Sequence, residues 1–146
     1  MTVIYEKIAI IGVGLIGASI ALAVRRANLA THIVGCDADE SAVDTVRDLA
    51  LVDEAVTDPV VAVADADLVI MAVPVGAMGG LAASIVPAMK PGAVLTDTGS
   101  TKRSVLRDVD PVVTANIHWL PSHPLAGTEH SGPNAGHAHL FDERYW

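Results

Sequence analysis

The sequence predicts one α/β domain, in which a mostly parallel sheet is wound with helices on both faces. Half of the residues are apolar and only 3% are aromatic, and Ala, Val, Leu and Ile dominate, which is typical of helices that cover a buried sheet. Short apolar runs alternate along the chain with segments of helical periodicity. With 146 residues, the chain has the size of a single domain with one well buried core.

The first half of the chain alternates strand and helix. Its predicted elements, in the order strand, helix, strand, helix, are 7–11 (KIAII), 15–27, 32–36 (HIVGC) and 40–49. Residues 52–67 are ambiguous and predict only one short strand, at 55–56.

The second half continues the alternation. Its predicted elements are a strand at 67–73 (DLVIMAV), a helix at 77–89, a strand at 93–97 (AVLTD), a short helix from about Ser100 and a strand at 116–120 (NIHWL). Strands that alternate with helices imply right-handed crossovers and parallel pairing. In such doubly wound domains the ligand lies beyond the carboxyl ends of the strands.

Residues 8–24 form an uncharged run that invites a different interpretation. The run falls just short of the ~18 residues expected of a membrane helix. Its three glycines, Gly12, Gly14 and Gly17, weaken a helix at its centre but suit a strand, a tight turn and a helix start. We therefore expect a strand and a helix here, and no association with a membrane.

Charge and cysteine content restrict the partners and the compartment. The formal net charge of −8 argues against general binding to the phosphate backbone of nucleic acids. Cys36 is the only cysteine, so no internal disulfide is expected, and no secretory leader opens the chain. The sequence therefore predicts a cytoplasmic protein.

The first predicted strand runs into the motif GVGLIG, a GxGxxG pattern at a strand-to-helix turn. In a dinucleotide site, Gly12 permits the tight turn, Gly14 lets a pyrophosphate approach the backbone, and Gly17 lets helix and strand pack closely. Leu15 and Ile16 begin the helix, whose free N–H groups favour negative charge. The pattern indicates a Rossmann-type cofactor site.

Asp37 ends the second predicted strand, twenty residues after Gly17. An acidic residue at about this spacing binds the adenosine ribose of a dinucleotide. A carboxylate repels a 2′-phosphate, and Ala38 and Asp39 supply no cation to neutralise one. NAD is therefore favoured over NADP, although Asp37 as the N-cap of the next helix is an alternative.

Two further strand ends carry candidate site residues. Val73 and Pro74 are predicted to pack against the cofactor. The alternative is that Pro74 only ends the strand, which explains the proline nearly as well. Ser100 lies in the turn DTGSTK at the same predicted edge. Ser100 or Thr101 as a helix cap is the alternative.

Residues 122–133 read SHPLAGTEHSGP and follow the last predicted strand, beside the expected nicotinamide. Five of the six histidines of the chain fall in this region: His118, His123, His130, His137 and His139. Their spacing matches no strong metal motif, so no metal is expected. A histidine beside a nicotinamide can take a proton from a substrate hydroxyl as hydride departs.

GVGLIGASIA, DTGSTK and HPLAGTEHSGP together resemble the prephenate and arogenate dehydrogenases of tyrosine biosynthesis, including the cyclohexadienyl dehydrogenases. The resemblance implies NAD(P)-dependent oxidative decarboxylation of a cyclohexadienol to a phenol. It implies that His123 binds the ring hydroxyl and assists its deprotonation, and that Ser100 contacts the same hydroxyl. Thr128 and Glu129 would line the substrate mouth.

That family also carries a helical domain, which builds a homodimer and supplies an arginine to the substrate. The resemblance implies that residues 1–146 form the NAD-binding domain alone, with an incomplete substrate pocket. Lys102, Arg103 and Arg107 are the cations near the expected site. Two alternatives remain open: a reductase of the hydroxyacid or imine class, and a noncatalytic NAD-binding module.

Overall fold

A computed structural model, which describes residues 2–146, contains one sheet of six parallel strands. The strands are β1 Tyr5–Ile11, β2 Ala30–Cys36, β3 Glu54–Val56, β4 Leu68–Met71, β5 Val94–Asp97 and β6 His118–Leu120. Their spatial order is β3-β2-β1-β4-β5-β6, and each neighbouring pair is parallel. The order reverses between β1 and β4, which is where doubly wound sheets open a ligand crevice.

Five helices cover the two faces of the sheet. They are α1 Leu15–Arg26, α2 Glu40–Asp48, α3 Pro59–Val63, α4 Val75–Ile85 and α5 Lys102–Val109. Successive residues of β1 point to opposite faces, so Ile8 and Ile10 pack with α1 and α2 while Ala9 and Ile11 pack with α3, α4 and α5. The two cores confirm the predicted doubly wound α/β class.

The predicted elements exist, and their ends differ by a few residues. The helix predicted at 77–89 begins at Val75 and ends at Ile85, where a 3₁₀ turn takes over at Val86–Ala88, because Pro87 has no N–H to continue the helix. Helix α3 was not predicted. It has five residues, too few to show a helical period, and Asp58 caps it through Val60 N at 2.9 Å.

Residues 133–146 return across the outer side of α1. The hydroxyl of buried Ser19 accepts a hydrogen bond from His137 N at 3.0 Å. Arg26, at the end of α1, pairs with Asp142 at 2.7 Å. Within residues 2–146, no helix combines the length and the apolar character needed to cross a bilayer.

Candidate functional site

The glycine loop between β1 and α1 has two positions that the fold itself restricts to glycine. Gly12 has a φ of +95°, and a Cβ there would lie 2.4 Å from the carbonyl oxygen of Ala72. A Cβ on Gly17 would lie 1.8 Å from the carbonyl oxygen of Gly12. By contrast, a Cβ on Gly14 would meet no atom within 4 Å. The packing of the fold does not require that glycine, and the space beside its backbone is open.

Helix α1 presents its amino end beside Gly14. Gly14 is the N-cap residue and offers no side-chain cap, and the first turn holds no acidic residue. The N–H groups of Leu15, Ile16 and Gly17 have no partner within the helix, because the first intrahelical bond runs from Ala18 N to Gly14 O at 2.9 Å. Such a helix end favours a phosphate group.

Asp37 lies directly beyond β2 and faces the glycine loop. Its Oδ2 accepts a hydrogen bond from Val13 N at 3.0 Å, and its Oδ1 accepts one from Asp39 N at 3.0 Å. The N-cap of α2 is Asp39, whose carboxylate accepts from Ser41 N at 2.9 Å. The N-cap alternative for Asp37 is therefore wrong, and its carboxylate is held against the glycine loop.

A cavity of about 450 Å³ opens between the ends of β1, β2 and β4, within the ~300–1,000 Å³ typical of small-molecule sites. Five of the predicted cofactor residues line it: Gly12, Gly14, Asp37, Val73 and Pro74. Leu15, Ile16 and Gly17 do not. Most of the remaining lining is aliphatic, and it includes no Lys or Arg, so nothing there neutralises a 2′-phosphate.

Cys36 lines the same cavity without being reactive. Burial raises the pKa of its thiol to about 12, and the nearby carboxylates of Asp37 and Asp58 add to the rise. A thiol with this pKa stays neutral and is a poor nucleophile near neutral pH.

Ser100 and His123 lie at the other half of the same edge, outside this cavity. Ser100 is exposed in the turn after β5, and half-buried His123 follows β6 by three residues. Strands β5 and β6 are parallel neighbours, with Thr96 opposite Leu120. Thr101 is the N-cap residue of α5, as the capping alternative expected, although its side chain makes no cap bond. Ser100 precedes the cap, so the capping alternative does not apply to it.

Thr128 and Glu129 are exposed in the irregular part of the 122–133 segment. The hydroxyl of Thr128 accepts from His130 N at 3.2 Å, and a carboxylate oxygen of Glu129 lies 3.5 Å from His130 Nε2. The histidines of this region do not converge. Across residues 2–146, no group of three His, Cys, Asp or Glu side chains is placed to hold a metal ion.

Sequence reasoning missed a buried ionic network where the β5 and β6 loops meet. The carboxylate of Asp97 is fully buried and accepts from Gly99 N at 2.8 Å and from Ser122 N at 3.0 Å. Lys102 Nζ contacts both Asp97 and the carbonyl oxygen of Ser122. Lys102 was a candidate cation for the substrate, but its charge is directed into this network. The only sequence signal was an acidic residue at the end of an apolar strand.

Known proteins are similar to this chain in both fold and sequence. The family described as "Prephenate dehydrogenase, nucleotide-binding domain" matches residues 20–146. A cyclohexadienyl dehydrogenase of Zymomonas mobilis is 44% identical over 96% of this chain. Among solved structures, prephenate dehydrogenase from Aquifex aeolicus, in complex with hydroxyphenyl propionate and NAD⁺, has a TM-score of 0.86 and 27% identity over 95% of this chain. Arogenate dehydrogenase from Synechocystis gives the same TM-score, identity and coverage.

The chain is shorter than these proteins. It covers 47% of the Zymomonas mobilis relative and 40% of a prephenate dehydrogenase of Lactococcus lactis that is 32% identical to it. It covers 48% of each of the two solved structures. The similarity therefore extends along nearly all of this chain and along less than half of each relative.

Proposed function

Because the chain belongs to the prephenate dehydrogenase family, as its nucleotide-binding domain, we propose that it binds NAD within an enzyme that oxidatively decarboxylates prephenate, arogenate or both. One observation supports this most strongly. The cavity bounded by Gly14 and Asp37 and the segment that carries His123 lie along a single edge of the sheet.

The residues of the cavity fit an adenine dinucleotide. The open space at Gly14 leaves room for a pyrophosphate beside the amino end of α1. The carboxylate of Asp37, which is held by Val13 N and Asp39 N, would accept hydrogen bonds from the ribose hydroxyls. Val73 and Pro74 supply an apolar wall at the switch point between β1 and β4. The same carboxylate disfavours NADP.

The chemistry needs alignment more than strong acid or base catalysis. When bound, NAD⁺ supplies the acceptor for the hydride that leaves the carbinol carbon, and loss of carbon dioxide yields a phenol. His123 holds the ring hydroxyl and accepts its proton, since a neutral imidazole is a suitable base near pH 7. Ser100 contacts the same hydroxyl and orients the substrate. Thr128 and Glu129 border the substrate entrance.

We assign residues 1–146 to the nucleotide-binding domain of a longer enzyme. A helical domain then completes the substrate pocket, supplies a cation for the substrate side chain and forms a homodimer. Of the cations near the β5 edge, Lys102 is bound to Asp97 and Arg107 to Asp108, whereas Arg103 is exposed and makes no ion pair within the described residues. The neutral, buried thiol of Cys36 suits the reducing cytoplasm.

The proposal is tested in the full-length protein with prephenate and with arogenate, each combined with NAD and with NADP. We expect NADH formation with at least one substrate and a much smaller rate with NADP. In parallel, the 146-residue chain should bind NAD weakly and show no turnover. Binding of NAD by the full-length protein without oxidation of either substrate would instead indicate a noncatalytic NAD-binding module.

A further inference from the structure

One buried carboxylate holds both loops that carry the proposed catalytic side chains. Asp97 Oδ2 accepts from Gly99 N, the residue before Ser100. Asp97 Oδ1 accepts from Ser122 N, the residue before His123. The two loops are separated by more than twenty residues of chain, and they meet at the two oxygens of one side chain. Their relative position therefore depends on Asp97.

Ser122 is held through each of its polar groups. Besides its N–H, its hydroxyl lies 2.5 Å from the carbonyl oxygen of Asp97, and its own carbonyl oxygen accepts from Lys102 Nζ. The hydroxyl also contacts Thr96 Oγ1 at 3.0 Å and accepts from Trp146 Nε1 at 2.8 Å. The backbone immediately before His123 therefore has little freedom, although the segment after it has no regular structure.

We propose that Asp97 and Lys102 are positioning residues that set the separation of Ser100 and His123, and that neither binds the substrate. This inference rests on the proposed function for its catalytic consequence. Asp97 is fully buried and has no route to a substrate. Lys102 keeps 29% of its side chain exposed, but its ammonium is directed inward to Asp97 and Ser122.

A second pair of an aspartate and a lysine, Asp67 and Lys90, contacts neither of these two loops. Asp67 precedes β4 at the amino edge of the sheet, pairs with Lys90 and accepts from Lys7 N at 2.9 Å. Asp67 also has a lysine partner and a backbone N–H donor, but 26% of its side chain is exposed whereas Asp97 is fully buried. A role that is only structural therefore predicts a loss of stability at both pairs, larger at Asp97, with kcat unchanged below the melting temperature, whereas a positioning role predicts a lower kcat at Asp97 alone.

The first measurement is amide hydrogen exchange in the full-length protein, with Asp97→Asn and Asp67→Asn. Asparagine has one acceptor oxygen, so Asp97→Asn keeps at most one of the two loop bonds. We expect the amide of Gly99 or Ser122, or both, to exchange at least ~10-fold faster, while the Lys7 amide is unchanged. Asp67→Asn should accelerate Lys7 and leave the loop amides alone.

The second measurement is steady-state kinetics of the same variants in the full-length protein. A small displacement of reacting groups costs up to ~10²-fold in rate, so Asp97→Asn should lower kcat by roughly 10- to 100-fold. The dissociation constant of NAD should change by less than about 2-fold, because the cofactor cavity does not include this network. Asp67→Asn should lower Tm without changing kcat below the melting temperature.

A double variant separates geometry from charge balance. Asp97→Asn combined with Lys102→Met removes both buried charges, so Tm should recover partly while kcat stays low. Full recovery of kcat in the double variant would show that only charge balance matters, and would overturn the proposal. If Asp97→Asn does not fold, the double variant and the single variant Lys102→Met are measured instead. In both we expect faster exchange of the Ser122 amide and a lower kcat.

The outcomes for this proposal and for the proposed function are distinct. Retained protection of both loop amides in folded Asp97→Asn, or an unchanged kcat, overturns the positioning role. Absence of turnover by the unmodified full-length protein with either substrate refutes the proposed function instead. In that case the exchange measurement still decides whether Asp97 holds the two loops together.

Discussion

Replacing Gly14 with alanine should separate the demands of the ligand from those of the fold. Gly14 has a φ of −70°, which alanine adopts without strain, and a Cβ there meets no atom within 4 Å. The lost flexibility of the unfolded chain contributes about 0.4–1 kcal/mol of stability, and alanine is a clearly poorer N-cap than glycine, which offsets that gain. The net change in the free energy of unfolding should stay within about 1 kcal/mol.

The Cβ of alanine at position 14 should weaken cofactor binding. It would occupy the space in which a pyrophosphate approaches the backbone at the amino end of α1. We expect the affinity for NAD to fall at least ~10-fold, which corresponds to about 1.4 kcal/mol. Loss of binding with no loss of stability is the signature of a glycine retained for a ligand.

Gly17→Ala is the matched control within the same motif. Its Cβ would lie 1.8 Å from the carbonyl oxygen of Gly12, far inside the 3.0 Å that real Cβ contacts keep. Helix α1 would have to move away from β1, and overpacking of this kind costs about 3 kcal/mol or more. Because 1 kcal/mol shifts Tm by about 2–4 °C in a domain of this size, Tm should fall by roughly 6–12 °C.

Thermal denaturation and NAD titration of the unmodified chain and the two variants provide the assay. The account requires Gly14→Ala to melt near the unmodified chain and to bind NAD poorly, and Gly17→Ala to melt early. If Gly14→Ala bound NAD with unchanged affinity, the open space at Gly14 would not be a phosphate site. A fall in the stability of Gly14→Ala of more than about 2 kcal/mol would show that the fold needs this glycine.

Three further predictions concern single side chains. NAD should bind at least ~10-fold more tightly than NADP, because Asp37 faces the ribose position without a cation, and equal affinities in a titration would exclude this role. In the full-length protein, His123→Asn should lower kcat by roughly 10² to 10⁴-fold with little change in NAD affinity. His130→Asn should leave kcat nearly unchanged. The reverse pattern would identify His130 as the base. The raised pKa of Cys36 means that its stabilising contribution is complete below its ordinary value of 9.0 and is lost as pH rises towards about 12. Urea denaturation measures the free energy of unfolding across this pH range, and that free energy should fall less steeply with rising pH in Cys36→Ala than in the unmodified chain. The same pH dependence in both proteins would contradict the burial of the thiol.

The fold was predictable because its signals are local. Strands β1, β2, β4 and β5 lie within short, largely apolar runs, and α1 follows the glycine loop at Gly14. The start of α2 was also predicted, at Glu40, but its cap is Asp39 and not Asp37. Helix α3, one turn held by Asp58, is the element that the sequence does not predict. Strand β6, predicted at 116–120, begins two residues later at His118 and ends as predicted at Leu120, before Pro121, whose missing N–H cannot extend a ladder.

The site was predictable only where one motif carries it. The glycine loop and Asp37 belong to one strand-helix-strand unit, so their spacing is visible along the chain. The link between Asp97 and Ser122 joins positions 25 residues apart, and no local pattern indicates that the carboxylate at the end of β5 faces that loop. For the same reason Lys102 was taken as a cation near the substrate, although its charge is neutralised within the protein.

The most direct test of the central claim is the stoichiometry of carbon dioxide and NADH released by the full-length protein with prephenate or arogenate. Oxidative decarboxylation predicts one carbon dioxide for each NADH, together with a phenolic product, and predicts that both signals fall together in His123→Asn. Formation of NADH without carbon dioxide would assign the protein to simple alcohol oxidation. Absence of NADH with both substrates would contradict the proposed function.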